Sequence, residues 1–227
     1  MGNNVPLPKS INTIASRLAN ADLTQQEEDV RRAILKAFGT SGTSLTVGDI
    51  ITLVQGLNRH DLSRICRKLA ERDLIVWDET GQCVQSAYPF SGLPTAHKVH
   101  LKDGPVIFAL CAVDALGMPV MLGQAAHIVS RCAHCDAPIE VAVSDEGLGQ
   151  YRPRDSVVWF PLAEDVCCPV AQSRCPDINF FCSTEDRNAW WQARDRPEGL
   201  PMTMVEAFEA GREIFGSLLT RSASSPG

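Results

Sequence analysis

Nine cysteines in 227 residues, seven of them after residue 110, restrict this chain more than any other feature. The opening MGNNVPLPKS lacks the charged-then-apolar layout of a secretory signal, and no apolar run approaches the roughly 18 residues that span a bilayer. The expectation is a soluble, cytoplasmic protein without a membrane partner. In that compartment disulfides seldom persist, so clustered thiols point to metal binding or catalysis. Charge divides at the same place: residues 1–98 carry 11 Lys and Arg against 10 Asp and Glu, residues 99–227 carry 10 against 17. An acidic, cysteine-bearing half is poorly suited to nucleic acid.

In the first half, Val30, Ile34, Leu35 and Phe38 recur at helical spacing, and TVGDIITLVQG follows a SGTS loop. RHDLSRICRKLAERDLIVW then places Leu62, Ile65, Cys66 and Leu69 on one helix face and ends in a strand, with DETG turning it into CVQSAY. Helices meeting at a tight turn and followed by a hairpin form a winged helix-turn-helix pattern. Arg59, Arg64, Arg67, Lys68 and Arg72 would face DNA in such a module, but Asp61, Glu71 and Asp73 dilute the face. A packing module with a solvated face is the favoured reading, and Cys66 reads as core. The Gly- and Pro-containing SGLPTAHK, residues 91–98, marks a boundary, giving an N-terminal domain over residues 1–95 and a second over residues 96–220. The last residues, 221–227, read as a disordered tail.

The second half reads as antiparallel strands with helices, so the whole chain is α+β. Val99–Leu101, a KDG turn and Pro105–Leu110 make a hairpin that runs into CAVDALGM. Cys111 thereby stands at a strand-to-helix junction, where the positive end of the helix dipole favours a thiolate, and Asp114 follows on the same face. A buried thiol and a capping carboxylate would be the plain account of that pair. The apolar flanks VIFAL and LGMPVMLG nevertheless put the carboxylate in an interior, where it needs a partner or a task.

AAHIVSRCAHCDAPIEVAVS reads as two strands joined by a turn that carries Cys132 and Cys135. A CxxC on a hairpin is half of a tetrahedral zinc site. The other half would come from Cys167 and Cys168, Cys175 or His134, and structural zinc is the less favoured reading. SVVWFPL is a further strand. SRCPDINFFCSTED alternates Ile178, Phe180 and Cys182 with polar or outward positions and ends at a helix N-cap. NAWWQARD is a helix whose Trp190 and Trp191 pack. TMVEAFEAGREIFGSLL opens on a Thr203–Glu206 capping box and shows Met204, Phe208, Gly211, Phe215 and Leu218 as one stripe. No phosphate loop, dinucleotide fingerprint or HExxH appears, and the five histidines occupy no catalytic context.

These residues resemble the organomercurial (alkylmercury) lyase family. ALCAVDALGMPVMLG is similar to its segment bearing Cys-x-x-Asp, SRCAHCDAPIEVAVS to the next hairpin, SRCPDINFFCS to its second cysteine segment, and MVEAFEAGREIF to its terminal helix. The resemblance implies protonolysis of a carbon–mercury bond, giving a hydrocarbon and Hg(II), with no organic cofactor. It implies Cys111, Asp114 and Cys175 as the catalytic set holding mercury, Cys132 as structural, and small thiols or a mercuric reductase as Hg(II) acceptor. Mercury is a very soft cation, so thiolates capture it where imidazole or carboxylate does not compete. The family's second cysteine segment usually holds an adjacent pair, whereas here Pro176 follows Cys175. Cys135, Cys167, Cys168 and Cys182 have no assigned counterpart. A non-enzymatic winged-helix protein binding or sensing metal through thiols is the alternative, and it would have no use for Asp114.

Overall fold

The structure is a computed structural model and describes residues 7–19, 21–162, 175–193 and 198–219. Its first element, α1 (Lys9–Ala19), buries Ile11, Ala15 and Leu18, a helix not anticipated from the opening residues. Helix α2 (Gln25–Ser41) starts at a Thr24–Glu27 capping box and buries Val30, Ile34, Leu35 and Phe38. After α3 (Val47–Leu53), Asn58 caps α4 (Arg59–Glu71), which turns Leu62, Ile65, Cys66 and Leu69 inward. The expected hairpin forms from β2 (Ile75–Trp77) and β3 (Cys83–Ala87).

These strands do not stand apart from the rest. Together with β1 (Leu45–Thr46), β4 (Phe90–Ser91), β5 (Lys98–Leu101), β6 (Val106–Ala109), β7 (Ala126–Arg131), β8 (Pro138–Ser144) and β9 (Gly147–Arg152) they form one antiparallel sheet. Its order is β1-β3-β4-β6-β5-β7-β8-β9, with β2 on β3. Ser91 pairs with Phe108, and Gly92 N–H bonds to the Gln85 carbonyl, so the sheet continues through the segment whose composition marks a boundary. A second sheet, β11-β10-β12, is built from β10 (Val157–Pro161), β11 (Phe180–Phe181) and β12 (Gly199–Thr203). In β11 both phenylalanines are buried, so the alternation expected through Phe181 is not expressed there.

Helix α5 (Ala112–Leu122) is buried on nearly every side, as an almost wholly apolar helix must be. It crosses α7 (Met204–Phe215) where two glycines meet. A Cβ on Gly211 would lie 2.7 Å from the Val113 carbonyl oxygen, and one on Gly117 would lie 2.5 Å from a Phe215 ring carbon. The missing side chains let the backbones touch. On its other side α7 meets α1, and a further helix, α6 (Thr184–Gln192), follows β11 from its N-cap Ser183. Among the described residues no helix is long and apolar enough to cross a membrane.

Candidate active site

Strand β6 delivers the chain to Cys111, which is the N-cap of α5 rather than a residue of its first turn. Its sulfur accepts the Asp114 N–H at 3.4 Å, in the way a serine or threonine oxygen does at such a position. One turn into the helix the Asp114 side chain therefore lies beside Cys111. The third member comes from 61 residues further on. Cys175 opens a short 3-10 turn, Cys175–Asp177, fixed by the bond from Ile178 N–H to the Cys175 carbonyl. The Ala112 N–H donates to the Ile178 carbonyl at 3.0 Å and ties that turn to the start of α5.

The ligand atoms of Cys111, Asp114 and Cys175 lie within 4.8 Å of one another, and all three residues are buried. The Cys175 thiol donates to Asp114 Oδ2 at 3.8 Å, and Tyr88 Oη lies 3.4 Å from Cys175 Sγ. Burial pushes the Cys111 thiol well up, with the Cys175 hydrogen bond adding to it. The thiolate expected from helix polarity is therefore disfavoured, because desolvation outweighs the dipole. At Cys175 a hydrogen bond from Cys111 favours the thiolate, but burial and the Asp114 charge outweigh it and the net shift is upward. Burial raises the Asp114 carboxyl to about 7, against hydrogen bonds from both thiols that pull the other way. Tyr88 is likewise raised by burial and keeps its proton. The result is a buried cluster in which soft sulfur ligands sit beside a carboxyl able to carry a proton at neutral pH.

Cys132 and Cys135 belong to a second cluster. Cys132 lies at the end of β7, Cys135 in the turn before β8, and their partners are Cys182 and Asp186. Cys175 and His134, considered as completing ligands, are absent from that cluster, and Cys167 and Cys168 lie outside the described residues.

A family model for alkylmercury lyase matches residues 90–216, more than half of the chain, and covers both clusters. The chain belongs to the alkylmercury lyase family. Among its members, the alkylmercury lyase of Pseudomonas putida is 31% identical over 147 residues, 64% of this chain and 66% of that one. The Staphylococcus epidermidis alkylmercury lyase is 28% identical over 60% of this chain and 61% of its own length. The Bacillus cereus alkylmercury lyase is 26% identical over 82% and 80%. The matched stretch thus spans less than two thirds of the first two. A solved structure, the mercury-bound form of MerB2, superposes with a TM-score of 0.76 at 28% identity, covering 93% of this chain and all of that one. The mixed helical and antiparallel architecture is that of the lyase family.

Within this lyase fold the three residues singled out for catalysis converge, whereas Tyr88 escaped the sequence reading. It is one of two tyrosines in the chain and sits at the end of β3, 87 residues before the sulfur it touches. Nothing local marks it. His97, by contrast, is a satisfied core residue: it bonds Ser130 Oγ at 2.9 Å, and burial holds its imidazole down to about 4.

Proposed function

We propose that this chain cleaves the carbon–mercury bond of organomercurials by protonolysis. The observation carrying the reading is a buried carboxyl within reach of two buried thiols. An organomercurial RHgX exchanges X for the Cys111 sulfur, and the thiol proton leaves with X. As Cys175 adds its sulfur to the metal, its proton passes to Asp114 Oδ2, the acceptor it already faces. Two sulfur donors raise electron density on mercury and weaken its bond to carbon. Asp114 then protonates the departing carbon, giving RH and Hg(II) held by two thiolates. Atoms balance: RHgX and two thiols give RH, HX and a mercury bis-thiolate. Tyr88 faces Cys175 and donates to its sulfur once that sulfur has lost its proton. Small thiols or a mercuric reductase then take the Hg(II), and no organic cofactor takes part.

Incubation of the purified protein with an organomercurial and excess small thiol, followed by measurement of released hydrocarbon, tests this reading. Turnover is expected. Stoichiometric mercury uptake without hydrocarbon would instead favour a thiol-based metal sensor, which needs the sulfurs but no proton donor. Cys111→Ser and Cys175→Ser should each reduce release by at least about 100-fold, since hydroxyl is a poor ligand for a soft metal. Full activity in Cys175→Ser would move the second thiolate to Cys167 or Cys168.

Residues 1–95 serve, in this proposal, as a winged-helix-like packing domain for the lyase domain over residues 96–220, in the cytoplasm and without a nucleic-acid partner. Support comes from α2, α3 and α4 leading into the β2–β3 hairpin, and from α1 lying against α7.

A further inference from the structure

Cys132, Cys135, Cys182 and Asp186 meet at one end of the β7–β8 hairpin, and we infer that they form a tetrahedral site for Zn(II), separate from the buried mercury-handling set. The four ligand atoms come from two chain segments and lie within 4.8 Å of one another. Cys135 Sγ is 4.0 Å from Cys182 Sγ and 3.4 Å from Asp186 Oδ2, and Cys132 Sγ is 3.7 Å from that same oxygen. With Zn–S near 2.3 Å and Zn–O near 2.0 Å, a regular tetrahedron has sulfur–sulfur edges of about 3.8 Å and sulfur–oxygen edges of about 3.5 Å. The spacings therefore match the edges of a zinc tetrahedron, and a bonded pair of sulfurs would be far closer. All three thiols are free.

The surroundings are built for the same end. Cys132 and Cys135 stand on a turn held by the Cys132 N–H on the Ala137 carbonyl and the Asp136 N–H on the Cys132 carbonyl, with Asp136 itself at φ 59°. The Cys182 N–H points at Cys132 Sγ from 3.5 Å, a contact that stabilises a metal-bound thiolate. Asp186 is aimed from the first turn of α6, where its own N–H is held by Ser183 Oγ at 3.2 Å. Three thiolates with one carboxylate suit a borderline cation such as Zn(II), whereas Mg(II) and Ca(II) select oxygen sets and Cu(I) an all-sulfur set. Four protein ligands close the coordination sphere, which is the arrangement of a structural rather than a catalytic zinc. Such an ion would pin the β7–β8 turn to the β11–α6 junction, seven residues beyond Cys175.

The test uses full-length protein purified without chelator, with zinc measured by elemental analysis and thermal stability followed with and without a strong chelator. One zinc per chain is expected, and its removal should lower Tm. Co(II) added to the metal-free protein should give a thiolate-to-cobalt charge-transfer band with tetrahedral d–d intensity. Cys135→Ser and Cys182→Ser, both at positions outside the fully buried core, should each lose the zinc and the band, while Cys111→Ser keeps both. Zinc retained at full stoichiometry in Cys135→Ser and Cys182→Ser would overturn the assignment, as would its loss in Cys111→Ser. So would a metal-free protein that takes up neither Zn(II) nor Co(II) after full reduction.

Discussion

Asp114 is an acid in the wrong solvent. The folded chain holds its proton up to about pH 7, whereas the unfolded chain gives it up near 3.8. Between those values the folded state binds more protons, so rising pH favours unfolding, and the contribution present below 3.8 is lost as pH climbs through about 7. The interval corresponds to about 4 kcal/mol. Urea titrations of the wild type should show stability draining away over that window, and Asp114→Asn, neutral throughout, should flatten that part of the profile. An unchanged pH profile would mean that the carboxyl is solvated. The same substitution should leave mercury capture intact while removing hydrocarbon release, separating the proton from the thiols. At this scale the sequence was informative where chemistry is local: Cys111 and Asp114, three residues apart at a helix start, announce each other. Tyr88 and Asp186 do not, because their significance comes only from chain that returns from 87 and 54 residues away.

Elements were legible wherever a cap or a period fixed them. Thr203 and Glu206 form the capping box expected for α7, and the β7–β8 hairpin closes on Arg131 and Pro138 as its turn requires. Thr203→Ala should therefore cost about 1 kcal/mol in chemical denaturation. What the pattern could not supply is how elements meet. Gly211 reads as part of an apolar stripe, yet its use is to admit the Val113 carbonyl and the Gly117 backbone of α5. Backbone atoms cannot turn aside as a flexible side chain would. Gly211→Ala should destabilise by about 1–3 kcal/mol through overpacking, seen as a lower urea midpoint, because α5 must shift away. Since α5 also carries Asp114, hydrocarbon release should fall in the same variant under conditions where it remains folded. A variant that loses stability without losing rate would show that the helix start is held by its bond to Ile178 instead.

Across the whole molecule, the features that sort the chain into two halves by composition do not interrupt its sheet, which passes from β3 through β4 into β6. Arg32 also bonds the Leu219 carbonyl, joining α2 to the chain beyond α7. Composition records where charge and cysteines lie; strand pairing depends on partners far apart in sequence, which is why the junction was not legible. The same long-range contacts bear on the helix that looked suited to DNA. Of the basic side chains on and after α4, Lys68 is committed to the buried Glu27 at 2.7 Å and Arg72 to Asp22 at 2.9 Å. Arg59, Arg64 and Arg67 are exposed, but Asp61 and Glu71 share the helix, and the chain carries a net charge of −6. Affinity for duplex grows with the number of phosphates neutralised, and three dispersed arginines against an acidic background neutralise few. A gel shift with nonspecific duplex at about 50 mM salt, where such contacts are strongest, should show no retardation at micromolar protein. Retardation that weakens steeply with added salt, and that Arg64→Ala with Arg67→Ala removes, would give the N-terminal helices a nucleic-acid role after all.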